Sequence, residues 1–242
     1  MSDIDDRLSS IQACIVAAAA RAGRRPGDVQ LVAVSKTHPP ESILAALDAG
    51  QTLFGESRVQ EARAKIPLLP SRARWHFVGH LQKNKIRHAL SLGFELFHGI
   101  DSLDLARDLN RIADEIGATA HILLEVNVAG ESTKFGFQPD PLRAQMEELQ
   151  TLRRLTIDGL MCLPPSVVRA DDARKYFAAL RELRDRLQTD GSGPLPELSM
   201  GMSGDYPVAI EEGATLVRIG TALFGARSGK TWRPAAEPGG EE

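Results

Sequence analysis

The chain has few cysteines and no long apolar run. Its 242 residues include two cysteines, Cys14 and Cys162, which are too few for a disulfide framework and fit a reducing compartment. No stretch approaches the roughly 18 apolar residues that a membrane span requires. The run from Ile11 to Ala20 is too short, and acidic residues precede it in place of the basic region of a signal peptide. These absences predict a cytoplasmic protein without a membrane anchor.

The chain also lacks a basic excess and the common metal and nucleotide motifs. Its net charge of -3 gives no electrostatic reason to expect nucleic acid as a partner. The six histidines do not have HExxH or similar spacing, so no metal site is predicted. There is no Walker or G-x-S-x-G motif. Cys162 has no evident catalytic histidine partner, which favours a buried thiol. With 43% hydrophobic and 25% charged residues, the composition is that of a soluble globular protein.

Short apolar segments alternate with amphipathic ones, as expected of repeated βα units. After a leading helix over residues 3–22, the predicted strands are 31–36, 53–55, 75–79, 95–99, 121–128, 157–162, 198–200 and 216–219. The predicted helices are 40–49, 56–66, a basic helix between the third and fourth strands, 101–116, 139–151, 171–188 and one from near residue 203 to residue 213.

Eight such units predict an α/β fold, a single (β/α)8 barrel of the TIM type with an extra N-terminal helix. An open doubly wound sheet is the alternative, but no glycine-rich dinucleotide turn follows the first strand. We expect the barrel to occupy residues 1–229. Residues 230–242, rich in Pro, Gly and Glu, are predicted to form a disordered tail.

Lys36 is the first candidate for chemistry, because barrel enzymes collect their functional residues at the C-terminal ends of the strands. It follows four apolar residues and Ser35, at the end of the first predicted strand. Partial desolvation there would lower the pKa of its amine and favour Schiff-base formation. The alternative is an ordinary lysine whose amine reaches solvent at a strand end.

Small residues after the last two strands predict a phosphate site. Ser203 lies in SMGMSGD, and Gly220 and Thr221 lie in VRIGTALFG. Small side chains let backbone amides approach an anion, and barrels often bind phosphate after strands seven and eight. The alternative is that these residues only form turns and caps.

Arg218 alternates with Val217 and Ile219 in the eighth strand, so its side chain points to the opposite face from theirs. Inside the barrel it would need an acceptor, since an unpaired buried guanidinium is costly. A pyridine nitrogen would serve, and Glu125 is a competing partner. Asn84, after the third strand, and Lys134, beyond the fifth, are further candidates for cofactor contacts by location alone.

With these segments identified, the chain closely resembles the pyridoxal phosphate homeostasis protein family, which are pyridoxal 5'-phosphate (PLP)-binding proteins of the alanine racemase N-terminal-domain type. The matching segments span residues 31 to 225 in family order: AVSKT (33–37), FGESRVQE (54–61), WHFVGHLQKNK (75–85), LLEVNV (123–128), KFGF (134–137), GLM (159–161), SMGMSGD (199–205) and VRIGTALFG (217–225).

The resemblance implies a PLP fold-type III barrel in which Lys36 forms the Schiff base with the cofactor. It implies that Ser203 and the amides near Gly220 and Thr221 hold the phosphate, and that Arg218 approaches the pyridine nitrogen. One departure is Ser57, where the family usually carries asparagine. The related racemases use a second, β-rich domain that supplies a catalytic tyrosine, and we expect no counterpart here.

The resemblance therefore implies a PLP carrier in vitamin B6 homeostasis without robust catalysis. Its expected partners are PLP, free amino acids and, transiently, PLP-dependent apoenzymes. Two alternatives remain open at this stage. One is a stand-alone PLP-dependent amino-acid racemase or related fold-type III enzyme. The other is a lyase that forms a Schiff base with a sugar phosphate through Lys36.

Overall fold

The computed structural model describes residues 3–131 and 133–225 of the chain. Its centre is a closed barrel in which consecutive strands pair in parallel and the last strand pairs with the first. The strands are β1 Gln30–Val34, β2 Leu53–Glu56, β3 Arg74–Phe77, β4 Leu96–Ile100, β5 Ala120–Glu125, β6 Leu155–Met161, β7 Glu197–Met202 and β8 Leu216–Ile219.

Helices follow the strands on the outside of the barrel. They are α1 Asp3–Arg21, α2 Pro40–Asp48, α3 Val59–Lys65, α4 Ile86–Leu90, α5 Leu103–Glu115, α6 Pro139–Gln150, α7 Arg174–Thr189, α8 Tyr206–Glu211 and α9 Thr221–Phe224. Helix α1 precedes the barrel and packs against α8 and α9. The predicted (β/α)8 fold with an N-terminal helix is confirmed, and the open-sheet alternative is excluded.

The alternating direction of side chains along each strand builds two apolar layers. An inner cluster fills the barrel with one residue from each of six strands: Val32, Leu53, Leu96, Leu123, Met161 and Leu216. The neighbouring residues of the same strands, such as Phe97 and Val217, belong to the larger outer cluster against the helices. This burial on both faces explains why the strands read as apolar runs.

Several element ends differ from the predictions. Strand β1 ends at Val34, so Lys36 lies in the turn that follows it. Strand β2 continues through Glu56, and α3 begins only at Val59, because the buried Glu56 side chain is bound by other residues in the interior. Helix α8 begins at Tyr206 and not near residue 203. The preceding residues form a turn in which the Met202 amide donates to the Asp205 carboxylate over 2.6 Å.

The predicted barrel boundary at residue 229 and the predicted tail over residues 230–242 lie outside the described residues and stay predictions. Within the described ranges, no helix is both long enough and apolar enough to cross a membrane.

Candidate functional site

The C-terminal ends of the strands surround a cleft of about 460 Å³. Five of the predicted site residues line it: Lys36, Ser203, Arg218, Gly220 and Thr221. The other lining residues are Val34, Ser57, Val78, Gly79, His80, Glu125, Phe135, Met161, Leu163, Met202 and Gly204. Closure of the barrel brings the two ends of the chain together here, because β1 pairs with β8.

The structure does not bring the other two predicted residues into this cleft. Asn84 is exposed on a short 3-10 turn, Lys83–Lys85, before α4. Lys134 lines two neighbouring cavities, which share Phe135 with the cleft, and its amine forms an ion pair with Glu131 over 2.9 Å. Location after a strand end does not by itself predict contact with the cleft, since the residues that follow a strand can face the cleft or face away from it.

Lys36 lies in a turn with an uncommon backbone conformation. The residue is exposed, whereas Ser35 before it is buried, and desolvation of the Lys36 amine stays a prediction. Thr37, which follows it, has a φ of 66°. A β-branched residue rarely adopts this left-handed conformation, which costs of the order of 1–3 kcal/mol and persists only where its surroundings impose it.

A buried ionic network lies beneath this turn. The Lys65 amine donates to the Ser35 carbonyl oxygen (2.9 Å), to Glu56 Oε1 (2.8 Å) and to Glu61 Oε2 (3.2 Å). The Ser35 hydroxyl donates to Glu56 Oε1 over 2.7 Å. The Thr37 amide donates to Glu61 Oε2 over 2.9 Å. The residues on both sides of Lys36 are therefore fixed to helix α3 by charged groups.

The two carboxylates of this network differ in their protonation equilibria. Burial raises the pKa of Glu56 to about 7, against the opposing attraction of Lys65. Burial also acts to raise the pKa of Glu61, but the hydrogen bond from the Thr37 amide and the charge of Lys65 outweigh it and leave that pKa lowered. Glu61 is thus the carboxylate that stays ionised near neutral pH, and Glu56 titrates there.

Ser203 and its neighbours form a region suited to an anion. The Ser203 hydroxyl accepts a hydrogen bond from the Ala222 amide over 3.2 Å, which links the loop after β7 to the start of α9. The backbone amides of Ser203, Gly204 and Thr221 donate to no other residue in the described ranges. Gly220 packs so closely on β1 that a Cβ there would lie 3.2 Å from the Val34 carbonyl oxygen.

Arg218 points into the barrel, on the face opposite to Val217 and Ile219 as predicted. It donates to the Ser199 hydroxyl (2.5 Å) and to the Cys162 carbonyl oxygen (2.9 Å). It forms no ion pair with Glu125, the competing partner, although both residues line the cleft. Two of its five N–H groups are used in these bonds, so donors remain for a ligand.

A chain of buried hydrogen bonds extends from Arg218 across the barrel. Ser199 Oγ lies 2.8 Å from His98 Nδ1, and His98 Nε2 lies 2.9 Å from His76 Nδ1. Since Arg218 can only donate, the Ser199 hydroxyl accepts from it, which leaves the hydroxyl proton available for His98 Nδ1. When Ser199 donates there, His98 carries its proton on Nε2, towards His76. The bonds to Ser199 and to the Cys162 carbonyl oxygen hold the guanidinium in place.

Burial keeps both histidines neutral. It lowers the pKa of His98 well below the ordinary value, with Arg218 and His76 acting in the same direction. Burial lowers the pKa of His76 to about 4. Burial likewise raises the pKa of Cys162 to about 12, although Arg218 opposes this, so the thiol is protonated and fully enclosed. Among the described residues of this hydrogen-bond chain, Arg218 is the only permanent cation.

Sequence reasoning missed the parts of the site contributed by His98, Ser199 and Phe135. A usable signal existed for His98: it lies two residues after Leu96, as Arg218 lies two after Leu216, so each forms the next inward layer of its strand. Glu125 follows Leu123 in the same way, and burial raises its pKa. Phe135 is 61% exposed and stacks on His80 with ring centroids 4.2 Å apart, at the cleft entrance.

Comparison with known proteins identifies the family of the chain. Residues 7–228 match the family model described as alanine racemase, N-terminal domain. The chain is 44% identical to the pyridoxal phosphate homeostasis protein of Aquifex aeolicus over 223 residues, which cover 92% of this chain and 97% of that protein. It is 39% identical to the protein of the same name from Escherichia coli K12, over 94% of this chain and 98% of the relative. The chain belongs to the pyridoxal phosphate homeostasis protein family.

Solved structures of similar proteins have the same fold. PipY of Synechococcus elongatus, in a structure with PLP bound, is 40% identical and superposes with a TM-score of 0.81, over 92% of this chain and 100% of PipY. An alanine racemase of Clostridium difficile superposes with a TM-score of 0.65 at 16% identity, over 84% of this chain and 53% of the racemase. At that identity the likeness to the racemase concerns the fold alone.

Proposed function

We propose that this protein binds PLP in the cleft as a Schiff base on Lys36. We further propose that it serves intracellular PLP, or vitamin B6, homeostasis without robust catalysis. The observation that carries the proposal is the convergence of Lys36, Ser203 and Arg218 on one cleft. A family member with 40% identity has PLP in its solved structure, which supports the same ligand here.

The residues of the cleft fit the cofactor at both of its ends. Amides of Ser203, Gly204 and Thr221 that have no acceptor in the described chain suit a phosphate, which accepts several hydrogen bonds. Arg218 retains donors for a ring nitrogen that acts as an acceptor. When bound, PLP supplies an aldehyde that condenses reversibly with primary amines. Asn84 and Lys134 stay weaker candidates for contacts with it.

The electrostatics of Arg218 support a carrier over an enzyme. A guanidinium beside the ring nitrogen disfavours protonation of that nitrogen, since two positive groups would meet in a confined space. The bonds of Arg218 to Ser199 and Cys162 hold the guanidinium at the cleft, which supports such a contact. An unprotonated ring is a weaker electron sink, so the cofactor gives less help to carbanion chemistry. The family name of the curated relatives also refers to homeostasis and not to a reaction.

We propose a cytoplasmic location, which the two free cysteines support. Free amino acids are proposed to enter the cleft, and PLP-dependent apoenzymes to contact its rim transiently. The exposed apolar side chains of Phe135, Leu163 and Met202 at the cleft support such contacts.

The test of the binding site is a visible absorbance spectrum before and after borohydride, followed by mapping of the modified lysine. We expect a band that Lys36→Ala abolishes and that Lys134→Ala, a matched variant outside the cleft, retains. Borohydride fixation chiefly at Lys134 would show that Lys134, and not Lys36, forms the Schiff base.

The test of the carrier role is exchange of the α-proton of alanine, followed by NMR in deuterium oxide. We expect a spectral response to the amino acid with slow exchange; fast exchange that requires Lys36 would make the protein an enzyme.

A further inference from the structure

A second cavity, of about 280 Å³, adjoins the Lys36 cleft and shares Ser57 and His80 with it. It lies between the loops that follow β2 and β3. Its remaining lining residues are Arg58, Val59, Gln60, Phe77, Gln82 and Lys85. The lining thus combines two permanent cations, two amides and a hydroxyl, and it includes no carboxylate.

Arg58 and Lys85 form no ion pair with any residue in the ranges 3–131 and 133–225. The contrast with the neighbours of Lys85 is direct. Lys83 pairs with Asp108 over 2.9 Å, and Arg87 pairs with Glu115 over 2.5 Å, both on α5. Along this short segment, the cations directed at α5 have partners, whereas the one directed at the cavity has none.

The carboxylates on the elements around the cavity are engaged elsewhere. Glu56 and Glu61 accept from the buried amine of Lys65. Asp101 lies 2.8 Å from His80 Nδ1 and lines a different cavity, on the other side of that histidine. The positive charge of Arg58 and Lys85 is therefore not neutralised from within the described chain, and a polar hollow with two such cations attracts anions.

We propose that Arg58 and Lys85 form an anion-binding site for a small oxyanion, a carboxylate or a phosphate, beside the Lys36 cleft. Arg58 offers a planar fork of donors that matches either group, and Lys85 adds a point charge. Gln60 and Gln82 supply further amide donors. The site belongs to the β2 and β3 loops, across the cleft from Ser203 after β7. Because the cavities share Ser57 and His80, a ligand in the cleft can extend an acidic group into it.

Isothermal titration of the PLP-saturated protein tests the site, with inorganic phosphate and malonate as separate probes at constant ionic strength. We expect both Arg58→Gln and Lys85→Gln to weaken binding about two- to fivefold, the effect of one exposed charge contact, and the double variant about tenfold. The probe that binds more tightly identifies whether the site prefers a phosphate or a carboxylate.

Arg153→Gln is the matched control, since Arg153 is exposed, has no ion pair in the described chain and precedes β6 at the opposite end of the barrel. Unchanged affinity in the Arg58 and Lys85 variants, or an equal loss in the control, would overturn the proposal. So would binding that is lost on Ser203→Ala alone. PLP absorbance, recorded in the same samples, tests the proposed cofactor site separately: its absence leaves the anion titration of the unloaded protein interpretable.

Discussion

The backbone amide of Thr37 donates a hydrogen bond of 2.9 Å to Oε2 of Glu61. This bond joins the residue after Lys36 to a carboxylate on α3 that Lys65 also contacts. It accounts for the left-handed backbone of Thr37, because the amide must turn inwards to reach Glu61. The turn that presents Lys36 is therefore held by a buried charge and not by local sequence preference.

Glu61→Gln tests this link. The amide keeps an acceptor for Thr37 but removes the charge, so we expect a loss of about 1–3 kcal/mol in the free energy of unfolding and slower reaction of Lys36 with PLP. Urea denaturation and the growth of PLP absorbance measure the two effects. Glu95→Gln is the control, since Glu95 pairs with Arg74 at the surface and its loss should cost no more than about 1 kcal/mol. Equal effects of the two substitutions would contradict the link.

Lys65→Met tests the buried network as a whole. The variant leaves Glu56 and Glu61 without their shared cation in a site where Lys65 and Glu56 are fully enclosed. We expect a loss of about 3–5 kcal/mol in the free energy of unfolding. Adding Glu56→Gln should restore part of that loss, because a buried carboxyl group that has lost its cation is replaced by a neutral amide. A double variant no more stable than Lys65→Met in urea denaturation would show that charge compensation is not the cause.

Glu56 also predicts a pH dependence. Its pKa is raised from 4.5 to about 7 in the folded protein, so the folded state binds more protons than the unfolded state between these values. The contribution of Glu56 to stability is then fully present below pH 4.5 and is lost as the pH rises through about 7, by about 3 kcal/mol. Measured by urea denaturation across this range, the stability of the wild type should fall relative to Glu56→Gln as the pH rises. A difference in stability between the two proteins that does not change with pH would show that Glu56 does not titrate in this range.

Ser203→Ala tests the end of the cleft that is proposed to hold the phosphate of PLP. Loss of one hydrogen bond to a charged group should weaken PLP retention by about 1.5–3 kcal/mol, or roughly 10- to 150-fold. Equilibrium dialysis measures the affinity. Ser91→Ala is the control, because its exposed hydroxyl donates only to the carbonyl oxygen of His88 among the described residues. Unchanged PLP affinity in Ser203→Ala would assign the phosphate to other residues.

Ser199→Ala tests the hydrogen-bond chain behind Arg218. It leaves the charge of Arg218 in the barrel but breaks the connection to His98. We expect a shifted PLP absorbance maximum and a loss of about 1 kcal/mol in PLP affinity, because the guanidinium would no longer be held in the orientation proposed for its contact with the PLP ring. His121→Gln serves as the control, since His121 pairs with Asp158 on the exposed side of the barrel. Identical spectra for Ser199→Ala and the wild type would exclude an orienting role.

The sequence by itself determined the alternation of strands and helices, because apolar periodicity is a local property that survives without knowledge of the fold. It also selected Lys36, Ser203 and Arg218, at strand ends or next to small residues, as candidates that the structure brings to one cleft. It could not place Asn84 and Lys134 outside the cleft, since the direction in which a loop residue points depends on the packing of its neighbours.

Only the tertiary structure decided how these local features combine. Closure of the barrel pairs Ala33 with Ile219 and so brings Lys36 and Arg218, from opposite ends of the chain, to the same cleft. Closure likewise joins Ser199 of β7 to His98 of β4 across the interior. The physical reason is that a period of two assigns strand residues to two faces without saying which face is inside. Likewise, the partner of a buried charge, such as Lys65 for Glu56, depends on which side chains the fold encloses together.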